Sequence, residues 1–200
     1  MNKFDKEVIL DIRDLSVNYN SGGNKIPAVK KVSLSLEKNK MLGIIGETGS
    51  GKSSLIRAVN GLIKHPGTTS FDKLEILSKI GSNNNFDFSK MRGSEIGFIP
   101  QNPFGSLNPV YKIKKQFNFV NKRHQLFGKK EMGSEIIRSL TEVGIADPER
   151  VSNSYSFELS GGMAQRVVIA LSCFAKPKLL FADEPTTGLD VTVERQLLDN

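Results

Sequence analysis

Met41-Leu42-Gly43-Ile44-Ile45-Gly46-Glu47-Thr48-Gly49-Ser50-Gly51-Lys52-Ser53-Ser54 runs from a short apolar segment through a glycine-rich loop into a helical pattern. Leu55, Ile56, Val59 and Leu62-Ile63 continue that pattern at helical spacing. Strand, glycine-rich loop and helix in this order are the setting that a phosphate-binding loop requires. Gly46, Gly49 and Gly51 permit positive φ and let backbone N–H groups come close to phosphate oxygens. Lys52 offers a point charge to the outer phosphates, Ser53 a hydroxyl to Mg²⁺, and the helix its positive end. Gly46, Glu47, Thr48, Gly49, Ser50, Gly51, Lys52, Ser53 and Ser54 are therefore candidate contacts for a nucleotide. Taken alone, this stretch says nothing about the reaction.

Two later segments narrow the chemistry. Leu179-Leu180-Phe181-Ala182 is an apolar strand that ends in Asp183-Glu184 and so presents two carboxylates at the mouth of a sheet. Asp183 is placed to hold Mg²⁺ through water, and Glu184 to position and deprotonate an attacking water. Phosphoryl transfer needs such positioning and charge stabilisation more than covalent help. In Leu159-Ser160-Gly161-Gly162-Met163, Ser160 caps a helix whose first N–H groups Gly161 and Gly162 leave open, which makes a second anion site.

At 200 residues the chain suits one domain, or one domain carrying an insert. Hydrophobic residues make up 38% and charged residues 24%, so the composition is that of a folded globular protein. The single Cys173 cannot pair within the chain and lies in the apolar stretch 167–175, as a small core residue. No apolar run approaches the ~20 residues of a membrane span, and residues 1–7 carry both charge signs without a signal core. A cytosolic chain is expected. The net charge of +7 resides in scattered lysines and a denser group, Lys112, Lys114, Lys115, Lys122, Arg123, Lys129 and Lys130. No aromatic platform for bases accompanies them, so they read as a solvated surface and no nucleic-acid partner is expected.

Along the chain, the alternation in 8–13 and 15–19 reads as an edge strand ending in the turn 20–24, with a second strand over 28–36. Residues 41–45 read as a strand entering the loop. The stretch 65–92 is polar and weakly patterned, with 81–85 a loop. Ile96-Gly97-Phe98-Ile99 is a buried-type strand stopped by Pro100, and 178–182 a central one. From Pro103 to about Tyr155 the period is helical, and Gly144 and Pro148 close a helix through Ile136, Ile137, Leu140 and Val143. Helices are expected to begin at Ser160 and at Thr192.

A phosphate loop, then Leu-Ser-Gly-Gly-Met-Ala-Gln-Arg from Leu159, then Leu-Leu-Phe-Ala-Asp-Glu from Leu179, resembles the ATP-binding-cassette (ABC) family over nearly the whole chain. The resemblance implies an α/β P-loop NTPase cassette with a mixed sheet core, an N-terminal antiparallel β subdomain and an inserted helical subdomain at about 103–158. Residues 1–200 would form a single ATP-binding domain. It implies that ATP and Mg²⁺ are the cofactors and that the unit is a dimer of two cassettes packed head to tail. Lys52 of one then faces Ser160, Gly161 and Gly162 of the other across the ATP. Gln101 matches the glutamine that contacts Mg²⁺ and the attacking water, and begins the loop that faces the membrane partner. Tyr19 matches the aromatic that stacks on adenine, and Gly188-Leu189-Asp190 the loop that communicates across the dimer.

Gln101-Asn102-Pro103-Phe104-Gly105-Ser106-Leu107-Asn108-Pro109-Val110 is similar to the oligopeptide, dipeptide and nickel importer group. This implies an energising subunit on the inner face of the cell membrane, working with a separate permease and, indirectly, a solute-binding protein. Two departures stand out. The family's γ-phosphate histidine beyond Asp190 has no match, since His65 and His124 both lie far upstream, and the last sheet strands are missing. The chain therefore reads as incomplete at its C-terminus, with weak hydrolysis expected of these residues alone. A phosphonate-breakdown accessory, a nucleic-acid-associated ABC ATPase and a truncated ATP-binding module are the alternatives.

Overall fold

Apolar residues along the first strand change parity: Leu10 and Ile12 are even-numbered, Leu15 and Val17 odd. A strand alternates faces with period two, so all four can share one face only if an extra residue intervenes. The computed structural model describes residues 7–82 and 86–185, and it contains that residue. Within β1 (Val8–Ser21) the register against the next strand shifts between Ile12 and Leu15, and Asp14 adopts φ 52°. All four side chains are buried. A second shift between Leu15 and Val17 places the extra residue on β2 (Asn24–Glu37), where Lys31 has φ 47°. The hydroxyls of Ser33 and Ser16 accept from the displaced N–H groups of Asp14 and Lys31, at 3.0 and 2.9 Å. Bulges of this kind re-aim a strand without unpairing it.

The chain divides into two compact units at Lys90–Met91. In the first, β1 and β2 form a hairpin closed by Gly22 and Gly23, both at positive φ as a two-residue turn requires. Strand β1 is central rather than an edge. On its other side lie β3 (Thr68–Ser70) and β4 (Lys73–Ile76), with β5 (Lys79–Ser82) beyond β4. The weakly patterned stretch thus supplies three strands, and Gly81 and Ser82 of the expected loop belong to β5. Burial opposite β1 drives this, because Leu74 faces Ile12 and Ile76 faces Leu10, both fully buried. Outside that pair of contacts, Lys73 bridges Asp11 and Glu75, each at 2.8 Å.

Residues 41–45 do not form the expected strand. Among the described residues they pair with no strand of this sheet, and Ile45 is 98% exposed. Apolar content makes a strand only where a neighbouring backbone offers a ladder. The helix that follows, α1 (Lys52–Val59), buries Leu55, Ile56, Ala58 and Val59. It stops before Leu62-Ile63. Gly61 takes φ 63° and the N–H groups of Gly61 and Leu62 return to the carbonyls of Ala58 and Arg57, an αL-capped helix end.

In the second unit, β6 (Ile96–Ile99) and β7 (Leu179–Ala182) pair in parallel, with Ile99 opposite Ala182. Between them in sequence run α2 (Pro103–Ser106), α3 (Ile113–His124), α4 (Met132–Glu142), α5 (Pro148–Asn153) and α6 (Gly161–Cys173). Helix α4 ends at Val143 and Gly144, as the sequence predicted. Helix α6 contributes Ala164, Val167, Val168, Ile169 and Ala170 to a core shared with Ile113, Phe117, Ile136, Leu140 and Phe174. Cys173 packs partly buried against this cluster, and burial raises its thiol pKa. Gly97 has no room for a side chain. A Cβ there would lie 2.7 Å from Leu180 Cδ1 and 2.8 Å from the Ser172 carbonyl, so the last turn of α6 sits directly on β6.

Leu74→Ala is expected to lower the unfolding free energy by about 2–5 kcal/mol. Ile80→Ala, at a position 68% exposed, should stay within about 0.5 kcal/mol; chemical denaturation reads both. The Lys73 ammonium holds the Asp11 carboxyl below its ordinary range, chiefly through their hydrogen bond. The stability contributed by Asp11 is therefore present above the usual carboxylate range and lost as pH falls through the depressed value. In Lys73→Met the acid-side loss of stability linked to Asp11 should shrink, and the Asp11 titration followed by NMR should move up toward the ordinary carboxylate range.

Candidate functional site

The first unit holds the phosphate loop. Gly51, at φ 98°, is the N-cap of α1, and no side chain caps that end. Its backbone runs against β2, where a Cβ on Gly51 would meet the Ala28 carbonyl oxygen at 2.3 Å. Gly49, at φ 83°, has open space around it. The Lys52 ammonium folds back over the loop and donates to the Gly46 and Glu47 carbonyls at 2.7 and 2.8 Å. The charge is thereby held within the curve of the loop, beside the first-turn N–H groups that point out of a helix start. Residues 46–50 are exposed and Ser53 and Ser54 half-buried.

Tyr19 joins this cluster. It sits near the end of β1 opposite Ile26, and its phenol is 3.2 Å from Ser54 Oγ. Its ring edge also lies 3.1 Å from where a Gly67 Cβ would stand. Two candidate residues 35 positions apart are thus brought together.

The second unit holds the carboxylates. Because β6 and β7 are parallel and end level, the residues that follow them emerge side by side. The Asp183 N–H extends the ladder to the Ile99 carbonyl at 2.9 Å, and Asp183 is 3% exposed. Glu184 is exposed, at φ 48°, a left-handed conformation unusual for a residue with a side chain. Gln101 Nε2 donates to Glu184 Oε2 at 2.6 Å, joining positions 83 apart in sequence. Nothing in either sequence segment announces that contact. Ligands of α/β sheets bind outside the carboxyl ends of the strands, which is where this pair stands.

The loop after Gln101 is tightly fixed. Asn102 caps α2 by accepting from Gly105 N at 3.0 Å. Gln116 is buried on α3; it accepts from Asn108 N and donates to the carbonyls of Asn108 and Tyr111. Asn102 stands in the sequence only as part of the 101–110 segment, with no capping role assigned to it, and for Gln116 the one signal is an amide facing inward on an otherwise patterned helix.

Ser160 caps α6 as expected, its Oγ accepting from Met163 N at 3.3 Å. Ser160 and Gly161 are exposed, and a Cβ on Gly161 would meet nothing within 4 Å. The positive end of a 13-residue helix is thus open at the surface. Asp190, with Gly188 and Leu189, and the helix expected from Thr192 lie outside the described residues. His124 is half-buried on α3, and burial lowers its pKa.

Among the described residues no group of three or more His, Cys, Asp or Glu could hold a metal. The Ser53 hydroxyl, the Asp183 carboxylate and the Gln101 amide oxygen are instead hard donors that suit Mg²⁺, an ion that takes few protein ligands and completes its shell with water and phosphate. The donor chemistry fits that ion. No helix among the described residues is long and apolar enough to cross a membrane.

The ABC transporter family matches residues 29–187. The oligopeptide transport ATP-binding protein of Lactococcus lactis subsp. cremoris is 40% identical over 98% of this chain. The dipeptide transport ATP-binding protein of Haemophilus influenzae is 39% identical over 96% of it. The chain spans 58% of the length of both relatives. Among solved structures, the dimeric structure of a bacterial ABC transporter cassette superposes with a TM-score of 0.83 at 25% identity, covering 95% of this chain and 80% of that one.

Gly51→Ala is expected to force the loop away from β2 and to cost about 1–3 kcal/mol in thermal or chemical unfolding, since it combines strained φ with a backbone clash. Gly49→Ala, with equally positive φ but open space, should cost less.

Proposed function

This chain belongs to the ABC transporter family, and on that premise we propose that it is the ATP-binding and ATP-hydrolysing cassette that energises a peptide importer. The observation that carries the reading is the 2.6 Å hydrogen bond from Gln101 to Glu184. It joins the one amide and the one carboxylate that orienting and deprotonating a water requires. The names of the two curated relatives favour peptides over nickel within the importer group.

Each residue then has a task. The backbone of 46–54 wraps the phosphates, Lys52 offsets their charge, and Tyr19 supplies the face on which adenine stacks. Ser53 of the first unit and Asp183 and Gln101 of the second are the oxygen donors that would hold Mg²⁺, and the ion would supply positive charge to offset that of the phosphates. Glu184 accepts the proton of the attacking water and Gln101 orients that water. Ser160, Gly161 and Gly162 present the positive end of α6 to the ATP of a second cassette in a head-to-tail dimer. Asp190 belongs to the loop that communicates between the two. Residues 103–158 form the helical subdomain of a single cassette domain, and the loop from Gln101 through Val110 engages a permease. A solute-binding protein hands cargo to that permease. The cassette works in the cytoplasm, against the inner face of the membrane.

Replacing Glu184 by Gln keeps the shape and removes the base. The variant is expected to hydrolyse ATP at least about 100-fold more slowly and to elute as an ATP-bound dimer on size exclusion. Turnover at the parent rate would contradict the assignment.

A further inference from the structure

Helix α6 carries one fully buried polar side chain, Gln165, among the buried Ala164, Val167 and Val168, while its neighbour Arg166 is half-buried. A buried amide costs free energy unless it is paired. Gln165 Nε2 donates to the Pro185 carbonyl at 2.8 Å, across 20 positions in sequence. Its other end is not repaid: Oε1 is buried with no hydrogen-bond partner among the described residues. Methionine or leucine would fill the same volume without an orphaned oxygen, so packing does not account for the glutamine. Only the nitrogen end can serve a carbonyl, which fixes the amide's orientation.

Pro185 follows Glu184 directly. It has no N–H with which to tether the turn, so its carbonyl is the available handle. Glu184 itself holds φ 48°, a conformation that persists in a non-glycine residue where the surroundings impose it. We propose that Gln165 is a positioning residue for Glu184. By gripping the Pro185 carbonyl it holds the turn 183–185 in shape and aims the Glu184 carboxylate at Gln101. The grip also ties Glu184 to the second turn of the helix whose first residues follow Ser160, so a shift of α6 on engaging a partner's nucleotide reaches the carboxylate. This rests on the reading of Glu184 as the base.

Gln165→Met retains volume and removes the donor; Gln165→Leu serves if that variant fails to fold. Two readouts decide. Without nucleotide, amide exchange at Asp183 and Glu184 is expected to quicken about tenfold, with protection in α4 and the remainder of α6 unchanged. With Mg²⁺ and ATP, kcat should fall about 10- to 100-fold while KM for ATP stays at the parent value. Unchanged exchange at Asp183 and Glu184 would overturn the inference, as would a kcat equal to that of the parent. Loss of protection throughout α6 and α4 would also overturn it, by showing a merely structural role. A parent protein that hydrolyses no ATP would count against the proposed function alone, because the exchange measurement still decides the role of Gln165.

Discussion

Helix α6 is apolar around most of its circumference and has to be buried, and the second unit is arranged to bury it. A helix of this kind cannot serve as an amphipathic cover; it belongs inside. Its last turn meets β6 because Gly97 leaves no side chain in the way, and there Ser172 Oγ donates to the Phe98 carbonyl at 2.8 Å. Its flank is pinned by Arg166, which donates to the Gly144 carbonyl at 2.6 Å, and by Gln165 at Pro185. The strand ends, the carboxylates beyond them and the capped glycine start at Ser160 are thereby set by one buried rod. Chemistry at the carboxyl ends of β6 and β7 inherits its precision from that packing rather than from the loops that carry it.

The first unit answers a different constraint. Its β1 has to bury Leu10, Ile12, Leu15 and Val17 on one face despite their broken parity, and the bulge at Asp14 reconciles them. Straightening that strand would turn one pair to solvent. The same sheet supports the loop residue Gly51, whose fit against Ala28 depends on having no side chain.

Much of this was legible in sequence, and the failures have physical causes. Strands β6 and β7 and helix α6 were readable because short apolar runs and 3.6-residue periodicity report burial directly. The run 41–45 has the same composition, yet it takes no ladder among the described residues, since composition reports a need for burial and not the presence of a partner. Strands β3 to β5 escaped notice because Thr68-Thr69-Ser70 is wholly polar and Lys73-Leu74-Glu75-Ile76 offers two apolar residues, too few to raise a period above chance. In the site, Lys52, Asp183 and Glu184 declared themselves by residue type and by what precedes them. The pairing of Gln101 with Glu184, the phenol of Tyr19 against Ser54 and the grip of Gln165 are tertiary contacts, and no local pattern encodes them.

The claim on which the account turns is that Gln101 and Glu184 act as one device on one water. Single-turnover ATP hydrolysis by Gln101→Ala, Glu184→Ala and the double variant tests it most directly. Acting as a unit, the two residues give losses that do not multiply, and the double variant is about as slow as the slower single variant. Losses that multiply in the double variant would show independent roles and contradict the account.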